Sequence, residues 1–210
     1  GVALSGGTAH WALTIPRATD FILLQCTLPA ATDLAALAGQ WCATGAVPMA
    51  LYRAARSDDS GNAMVYGHLA RRSSLTATDL QVLRNAWQQL CPGAADLRLD
   101  RLEQVFDRAG HSHGAMPVFH YVVEMDPDEG WMPEISRWYD TEHMPGLAAV
   151  PGCIRARRML NHDHGPLSLA CYDLVTRETL GSPPWLAVRG TAWSDITRPH
   201  FTNTRRNMMT

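Results

Sequence analysis

Two stretches in the second half of the chain combine residue types that could move a proton. The first is RWYDTEHMPGLAAVPG, residues 137–152, in which His143 follows Glu142 and lies four residues after Tyr139. On a helix this spacing places the two rings on one face. His143 could therefore act as a general base or acid, with Tyr139 or Glu142 fixing its tautomer. The alternative interpretation is a helix-end histidine that bonds neighbouring backbone, since Pro145 and the glycine after it would end the helix there.

The second stretch is the predicted strand PVFHYVVEMD, in which side chains alternate between two faces. His120 and Glu124 share one face, and Tyr121 belongs to the other. If the aromatic face packs on the helices, His120 and Glu124 point into a barrel, where a buried histidine and carboxylate need partners or shifted pKa values. Arg155 or Arg157, together with Tyr172, are candidate partners on neighbouring strands. The alternative is a satisfied polar pair, or a register that exposes both residues.

Several further residues are candidates for the wall of a pocket. Trp138 and Trp185 are interpreted as core residues that can also line a pocket, and His200 in RPHF as a packing residue or a group that reaches the cavity. Two His-x-His pairs have a spacing that can bind a metal: His111, His113, His162 and His164. Both pairs lie in glycine- and proline-rich turns, which do not hold ligand geometry, so we expect no metal site.

Composition excludes several classes of function. The 210 residues carry a net charge of −2, which predicts neither nucleic-acid nor membrane binding, and all 18 basic residues are arginine, which excludes Schiff-base chemistry. Five scattered cysteines indicate reduced thiols in a cytoplasmic protein. We expect no membrane span and no signal peptide, because the chain has no long apolar run and its start lacks the required pattern. Nucleotide-binding and hydrolase motifs are also missing.

Strand and helix patterns alternate in an order that recurs after about a hundred residues. In the first half we predict strands at 20–29, 49–56, 62–70 and within 97–107, and helices at 31–45 and 76–93. In the second half we predict strands at 116–126, 153–160 and 167–175, helices at 128–146 and 182–196, and a tail at 198–209 that can add a strand.

Residue matches support an internal repeat. QWCATG aligns with RWYDTE, and the offset between the copies is 97 at Trp41 and Trp138 but 103 at Pro48 and Pro151. The second copy therefore has six extra residues, HMPGLA. A repeated β-α-β-β-α-β order predicts an α+β fold of two tandem ferredoxin-like units that cover each other as a pseudo-symmetric dimeric-type α/β barrel.

The predicted domain organisation follows from this repeat. Residues 1–19 form a loose N-terminal arm, residues 20–110 form a degenerate ferredoxin-like unit, and residues 115–210 form the second unit. Because the HMPGLA segment belongs to the second copy alone, we expect any functional site on that side of the chain.

Three segments of the second unit carry a family resemblance: RWYDTEHMPGLAAVPGCIRARRM, SLACYDLV and WSDITRPHF. They resemble the EthD-like branch of the dimeric α/β-barrel superfamily, which shares a WY-x-x-EH-x-P-x-L-x-x-x-PG-x-x-x-x-R run. The resemblance covers about residues 116–203, and the first half matches only in pattern. It implies a small-molecule pocket between sheet and helices without naming a substrate, since relatives range from cofactor-free monooxygenases, isomerases, cyclases and dehydratases to haem-using peroxidases.

The residues and the resemblance together favour a cofactor-independent enzyme: an isomerase, cyclase, dehydratase or monooxygenase that abstracts a proton from a small hydrophobic or aromatic metabolite. His143 or His120 would move the proton, Glu124 would orient a histidine, and Tyr139 or Arg155 would polarise a carbonyl. The alternative is a non-catalytic ligand-binding or assembly module. The alternative to a cofactor-independent protein is one that binds haem. The oligomeric state considered is a homodimer.

Overall fold

The computed structural model describes residues 15–45 and 47–210, which divide into two compact units. Unit 1 comprises the chain through Glu103 together with Asn161–His164, and unit 2 comprises Gln104–Leu160 and Gly165–Thr210. The predicted arm at residues 1–19 lies mostly outside the described residues, and the first strand begins within its last three positions.

The first half of the chain forms four strands and two helices. They are β1 (Arg17–Thr27), α1 (Leu34–Cys42), β2 (Met49–Arg56), β3 (Asn62–Leu75), α2 (Ala77–Leu90) and β4 (Ala95–Ala109). Asp33 caps α1, because its side chain accepts a hydrogen bond from the backbone N–H of Ala36. Thr76 and Asp79 form a capping box at the start of α2.

The second half repeats this order with more helical pieces. They are β5 (Phe119–Pro127), α3 (Met132–Trp138), a π-helical turn (Tyr139–His143), α4 (Met144–Ala148), β6 (Cys153–Asn161), β7 (Ser168–Leu174), a 3₁₀ turn (Arg177–Thr179), α5 (Pro183–Arg189), α6 (Ala192–Thr197), a 3₁₀ turn (Arg198–His200) and β8 (Phe201–Met209). The tail therefore adds a strand.

The strand order has the same form in both halves: β2-β3-β1-β4 in the first and β6-β7-β5-β8 in the second. Neighbouring strands within each set run antiparallel. This is the ferredoxin-like arrangement, and it confirms the predicted α+β fold class with two tandem βαββαβ units. Each set packs its own helices on one sheet face around a separate apolar core. Among the described residues, no helix combines the length and apolarity needed to cross a membrane.

Two helix predictions in unit 2 are wrong in their continuity. The predicted helix at 128–146 is interrupted by the π-helical turn, and Pro145 with Gly146 begins α4 instead of ending a helix. Proline is tolerated in a first helical turn because its missing N–H has no partner there in any case. The predicted helix at 182–196 breaks at Gly190, and Thr191 caps α6 by accepting from the backbone N–H of Ser194.

Candidate functional site

A cavity of about 180 Å³ lies within unit 2, between its sheet and its helical segments. Its wall is mostly aromatic and comes from β5, α3, the π-helical turn, β7, α5 and β8: Tyr121, Trp138, Tyr139, Tyr172, Trp185 and Phe201. Aliphatic side chains complete the wall: Val123, Leu147, Leu180 and Leu186. The remaining side chains are basic: His143, Arg189, Arg198 and Arg206. The cavity therefore combines an aromatic interior with one histidine and three arginines.

The π-helical turn positions His143. Its wider winding lets the backbone N–H of Met144 donate to the carbonyl of Tyr139, five residues earlier. The imidazole of His143 stacks on Trp138 with ring centroids 4.1 Å apart, and it meets Tyr139 edge to face at 5.8 Å. Gly146 in α4 allows the close approach of α5, because a Cβ there would lie 2.8 Å from a methyl group of Val188. The extra segment of the second copy thus delivers His143 to the cavity.

His143 is neutral in this environment. Burial lowers the pKa of its imidazole from 6.5 to about 3, and the charges of Arg198 and Arg189 contribute to the same shift. Its Nδ1 is buried and has no hydrogen-bond partner among the described residues. An unpartnered buried nitrogen is costly unless something else occupies the position opposite it. His143 therefore lines the cavity with a neutral ring, while its Nδ1 is buried among protein atoms.

The tyrosines of the cavity remain protonated phenols. Burial raises the pKa values of Tyr139 and Tyr172, both almost fully buried, and to a smaller extent that of Tyr121. The Arg158 guanidinium lies over the Tyr139 ring, 4.9 Å from its centroid. A buried protonated phenol can donate a hydrogen bond to a ligand oxygen, which suits Tyr139 to polarising a carbonyl.

The three arginines of the cavity have no acidic partner. The lining contains no aspartate or glutamate, and within residues 15–45 and 47–210 no ion pair involves Arg189, Arg198 or Arg206. Burial, and after it the like charges of Arg189 and Arg206, lower the pKa of Arg198. Arg206 pairs with Val123 across β5 and β8, which places it on the cavity face of the sheet. The arrangement gives the cavity an uncompensated positive charge.

The structure places His120 and Glu124 away from this cavity. The aromatic face of β5 does pack on the helices, so both residues lie on the opposite face, buried but outside the lining. His120 Nδ1 lies 3.0 Å from Asp173 Oδ1, and these two residues are direct neighbours in the β5–β7 register. The structure therefore gives His120 an acidic partner, Asp173, that the sequence interpretation did not name.

Two other predicted residues have structural partners outside the cavity. Arg155 forms a bidentate pair with Asp107, with both N–O distances 2.6 Å. His200 stacks on Trp131 at 3.5 Å and lies 3.1 Å from the carboxylate of Asp128. Of the predicted site residues, five line the cavity: Trp138, Tyr139, His143, Tyr172 and Trp185. Their catalytic and binding roles stay predictions.

The His-x-His pairs do not converge. His162 lies 3.6 Å from Glu103, and His164 is hydrogen-bonded to Asp100. Among the residues that the structure describes, no group of three or more histidine, cysteine and acidic side chains could hold a metal ion. The two His-x-His pairs therefore do not assemble a metal site among the described residues.

The sequence interpretation missed Asp173 and the three cavity arginines. Asp173 could have been found from the strand pattern, because SLACYDL places an acid in a buried strand, which is rare without a partner. The arginines carry no such signal, since Arg155 and Arg189 look alike in the sequence and differ only in whether a distant carboxylate reaches them.

These features define the class of protein: an α+β chain of two tandem ferredoxin-like units, with an aromatic, basic cavity in the second unit. No protein-family model matches the chain, and no curated protein sequence matches it.

Solved structures share the fold at low sequence identity. A candidate monooxygenase from Lactobacillus acidophilus NCFM has a TM-score of 0.63 and 12% identity, and the match covers 91% of this chain and 93% of that one. A candidate monooxygenase from Fusobacterium nucleatum subsp. nucleatum has a TM-score of 0.64 and 8% identity, with 92% of each chain covered. An anthrone oxidase-like protein has a TM-score of 0.59 and 11% identity, with 92% of this chain and 91% of that one covered. At these identities the likeness establishes the fold alone.

Proposed function

We propose that unit 2 is a cofactor-independent enzyme that abstracts a proton next to the carbonyl of a small hydrophobic or aromatic metabolite. One observation carries the proposal: the neutral imidazole of His143 lines a cavity walled by aromatic rings. Cavities of about 150 Å³ accommodate benzene, so the cavity here is of a size for one substituted ring. The names of the structural neighbours and the EthD-like resemblance both support small-molecule chemistry.

The proton transfer follows from the groups around the cavity. A lone pair of the neutral His143 imidazole takes the proton from the carbon beside the carbonyl, and the C–H electrons form the enolate. Tyr139 donates a hydrogen bond to the oxygen on which the negative charge develops. Burial and the nearby arginines disfavour the imidazolium, but the enolate formed in the same step is a negative charge beside it and stabilises it. Proton abstraction is the first step that an isomerase, cyclase, dehydratase or cofactor-independent monooxygenase would have in common.

The cellular setting belongs to the same proposal. All five cysteines are free and buried, and burial raises the pKa of Cys26 and of Cys42 to about 11 and that of Cys153 to about 12. Buried thiols of this kind are unreactive and suit a reducing compartment. We therefore propose a cytoplasmic enzyme.

Hydrogen exchange tests the proposal directly. The protein is incubated in D2O with small aromatic ketones, anthrone and aromatic lactones, and deuterium incorporation next to the carbonyl is followed by NMR. We expect exchange with the native chain and at least a 100-fold loss in His143→Phe, which retains a ring to stack on Trp138. His113→Gln, at an exposed histidine outside the cavity lining, is the matched control and should retain full activity.

The rival function is a non-catalytic ligand-binding module, and the low basicity of His143 favours it. The two functions give different results in the same samples. Ligands that raise the melting temperature without any exchange would establish the binding module, while exchange that His143→Phe abolishes would establish the enzyme.

A further inference from the structure

The three cavity arginines specify the ligand more narrowly than the proposed function does. We propose that the cavity binds an aromatic carboxylate, with the ring among the aromatic side chains and the carboxylate on Arg198, assisted by Arg189 and Arg206. The inference deepens the proposed function by naming a substrate class, and it rests on that function only in using the same cavity. Its own basis is the absence of a negative partner for these cations.

Several other arginines among the described residues pair with a carboxylate through two hydrogen bonds. Arg137 forms a bidentate pair with Glu134, at 3.0 and 2.9 Å. Arg155 forms one with Asp107, and the fully buried Arg101 forms one with Asp163. Partnered arginines therefore occur on the surface and in the interior. The cavity set is distinguished from them because three arginines line one cavity whose lining contains no acidic residue.

The three cations come from three elements of unit 2. Arg189 is the last residue of α5, Arg198 begins the 3₁₀ turn before β8, and Arg206 lies on β8 opposite Val123. They are close enough to repel one another, as the lowered pKa of Arg198 indicates. Bringing like charges together at a partly dehydrated site destabilises the empty protein unless an anion binds between them.

Burial gives the ligand a direction. Arg198 is half-buried, whereas Arg189 and Arg206 are exposed, so the charge lies at the rim of a cavity whose interior is aromatic. The hydroxyl of Tyr121 interacts with Arg206 and can hold it near this rim. A molecule with a ring at one end and a carboxylate at the other matches both regions. A planar guanidinium binds a planar carboxylate through two parallel hydrogen bonds, which favours this anion over a bare halide or hydroxide.

An anionic ligand would also change the base. Arg198 and Arg189 both contribute to the low pKa of His143, and a carboxylate between them would offset that contribution. The substrate would then raise the basicity of the imidazole that acts on it. A carbonyl next to the carboxylate would lie between the rim and His143.

The test uses phenylpyruvate and phenylacetone, which are an aromatic keto acid and a neutral aromatic ketone of similar shape. Binding is measured by isothermal titration calorimetry on the full chain, and deuterium exchange is followed in the same samples. Charged hydrogen bonds are typically worth about 10- to 100-fold in affinity, so we expect phenylacetone to bind at least 10-fold more weakly. Arg198→Gln should weaken phenylpyruvate binding to the same extent and leave phenylacetone unchanged. Arg137→Gln, which removes an exposed cation paired with Glu134, should change neither.

The outcomes separate the two proposals. Equal affinity for both probes, equal loss in Arg198→Gln and Arg137→Gln, or no binding of phenylpyruvate at millimolar concentration would each overturn the carboxylate site. Preferential phenylpyruvate binding that depends on Arg198 but gives no exchange would retain the carboxylate site and reject the proposed proton abstraction. Exchange of phenylacetone that is lost in His143→Phe, together with phenylpyruvate binding that is unchanged in Arg198→Gln, would retain the proposed proton abstraction and reject the carboxylate site. His143→Phe should still bind phenylpyruvate, because it leaves all three arginines in place.

Discussion

Unit 1 and unit 2 share one strand order but differ in what occupies the space between sheet and helices. In unit 1, the fully buried Trp41 and Trp87 meet edge to face with ring centroids 6.1 Å apart, and Trp41 Nε1 donates to the carbonyl of Leu83. In unit 2, Trp138 stacks instead on His143, at the wall of the cavity. The equivalent tryptophans therefore differ in their neighbours: Trp41 packs against a second tryptophan, whereas Trp138 borders a cavity.

The same contrast holds for charge. The Arg101 guanidinium in unit 1 is fully buried and bonds to Asp163 and to two backbone carbonyls, whereas Arg198 in unit 2 has no acidic partner. Natural proteins depart from full packing and full charge pairing mainly where function requires it. The contrast concerns two positions: Arg101 is neutralised within unit 1, whereas the described residues give Arg198 no acidic partner.

Removing one arginine from each unit should have the largest effect and opposite signs. Arg101→Met leaves Asp163 buried without its bidentate partner, and we expect a loss of about 3–5 kcal/mol in the free energy of unfolding. Arg17, whose Nε lies 3.5 Å from Asp163, moderates that loss. Arg198→Met removes a cation that its neighbours repel, so it should raise the melting temperature of the ligand-free protein. Urea and thermal unfolding followed by circular dichroism measure both, and comparable losses in the two variants would contradict the distinction between the units.

Much of this architecture is predictable from the sequence. The strands follow from alternation and β-branched content, and the caps of α1 and α2 follow from Asp33 and Thr76. The continuous helix at 128–146 was not a correct prediction, because a π-helical turn changes the phase of the side chains without leaving the helical pattern. Pro145 is also compatible with two interpretations, as the end of one helix or the first turn of the next.

The candidate site is less predictable than the fold. The interpretation of residues 137–152 identified Trp138, Tyr139 and His143, which do line the cavity. They could be found because they are close together in the sequence. His120 and Glu124 were prominent in the sequence for the right reason, burial of polar groups, but their face of β5 is the one away from the cavity. Which face holds a cavity depends on packing volumes across the fold, and local alternation does not encode that.

Filling the space should affect the two units differently. Val123→Phe places a ring in the cavity of unit 2, and we expect a gain of about 0.5–2 kcal/mol in stability together with loss of ligand binding. Val65→Phe in unit 1 forces the same ring into a fully buried position within a filled core, and should cost about 1–3 kcal/mol. Urea denaturation measures the stabilities and thermal shift with phenylpyruvate measures binding. A loss of stability in Val123→Phe as large as that in Val65→Phe would show that the cavity cannot accommodate an aromatic ring.

Acidification should reveal the buried neutral imidazole of unit 2. The folded-state pKa of His143 is about 3 against 6.5 when unfolded, so between these values the unfolded chain binds the extra proton. Stability is therefore lost as pH falls below about 6.5, by up to about 2 kcal/mol at pH 5 for this group. Unfolding free energies at pH 7 and pH 5 should fall less in His143→Phe than in the native chain. An equal fall in both would mean that the imidazole is not held neutral in the cavity.

His164 in unit 1 should show the smallest effect on stability, with the opposite sign to His143. The carboxylate of Asp100 accepts a hydrogen bond from His164 and raises the pKa of His164 above 6.5. This effect outweighs burial and the nearby charge of Arg98, which both lower that pKa. The folded state then binds the proton more tightly than the unfolded chain, so this contribution is fully present below pH 6.5 and is lost as pH rises through the folded-state pKa. Melting temperatures between pH 6 and pH 8.5 should therefore decline in the native chain and decline less in His164→Gln. Since His143 does not titrate in that range, the melting temperature of His143→Phe should follow that of the native chain there. A smaller decline in His143→Phe than in the native chain would contradict the opposite pH effects assigned to His143 and His164.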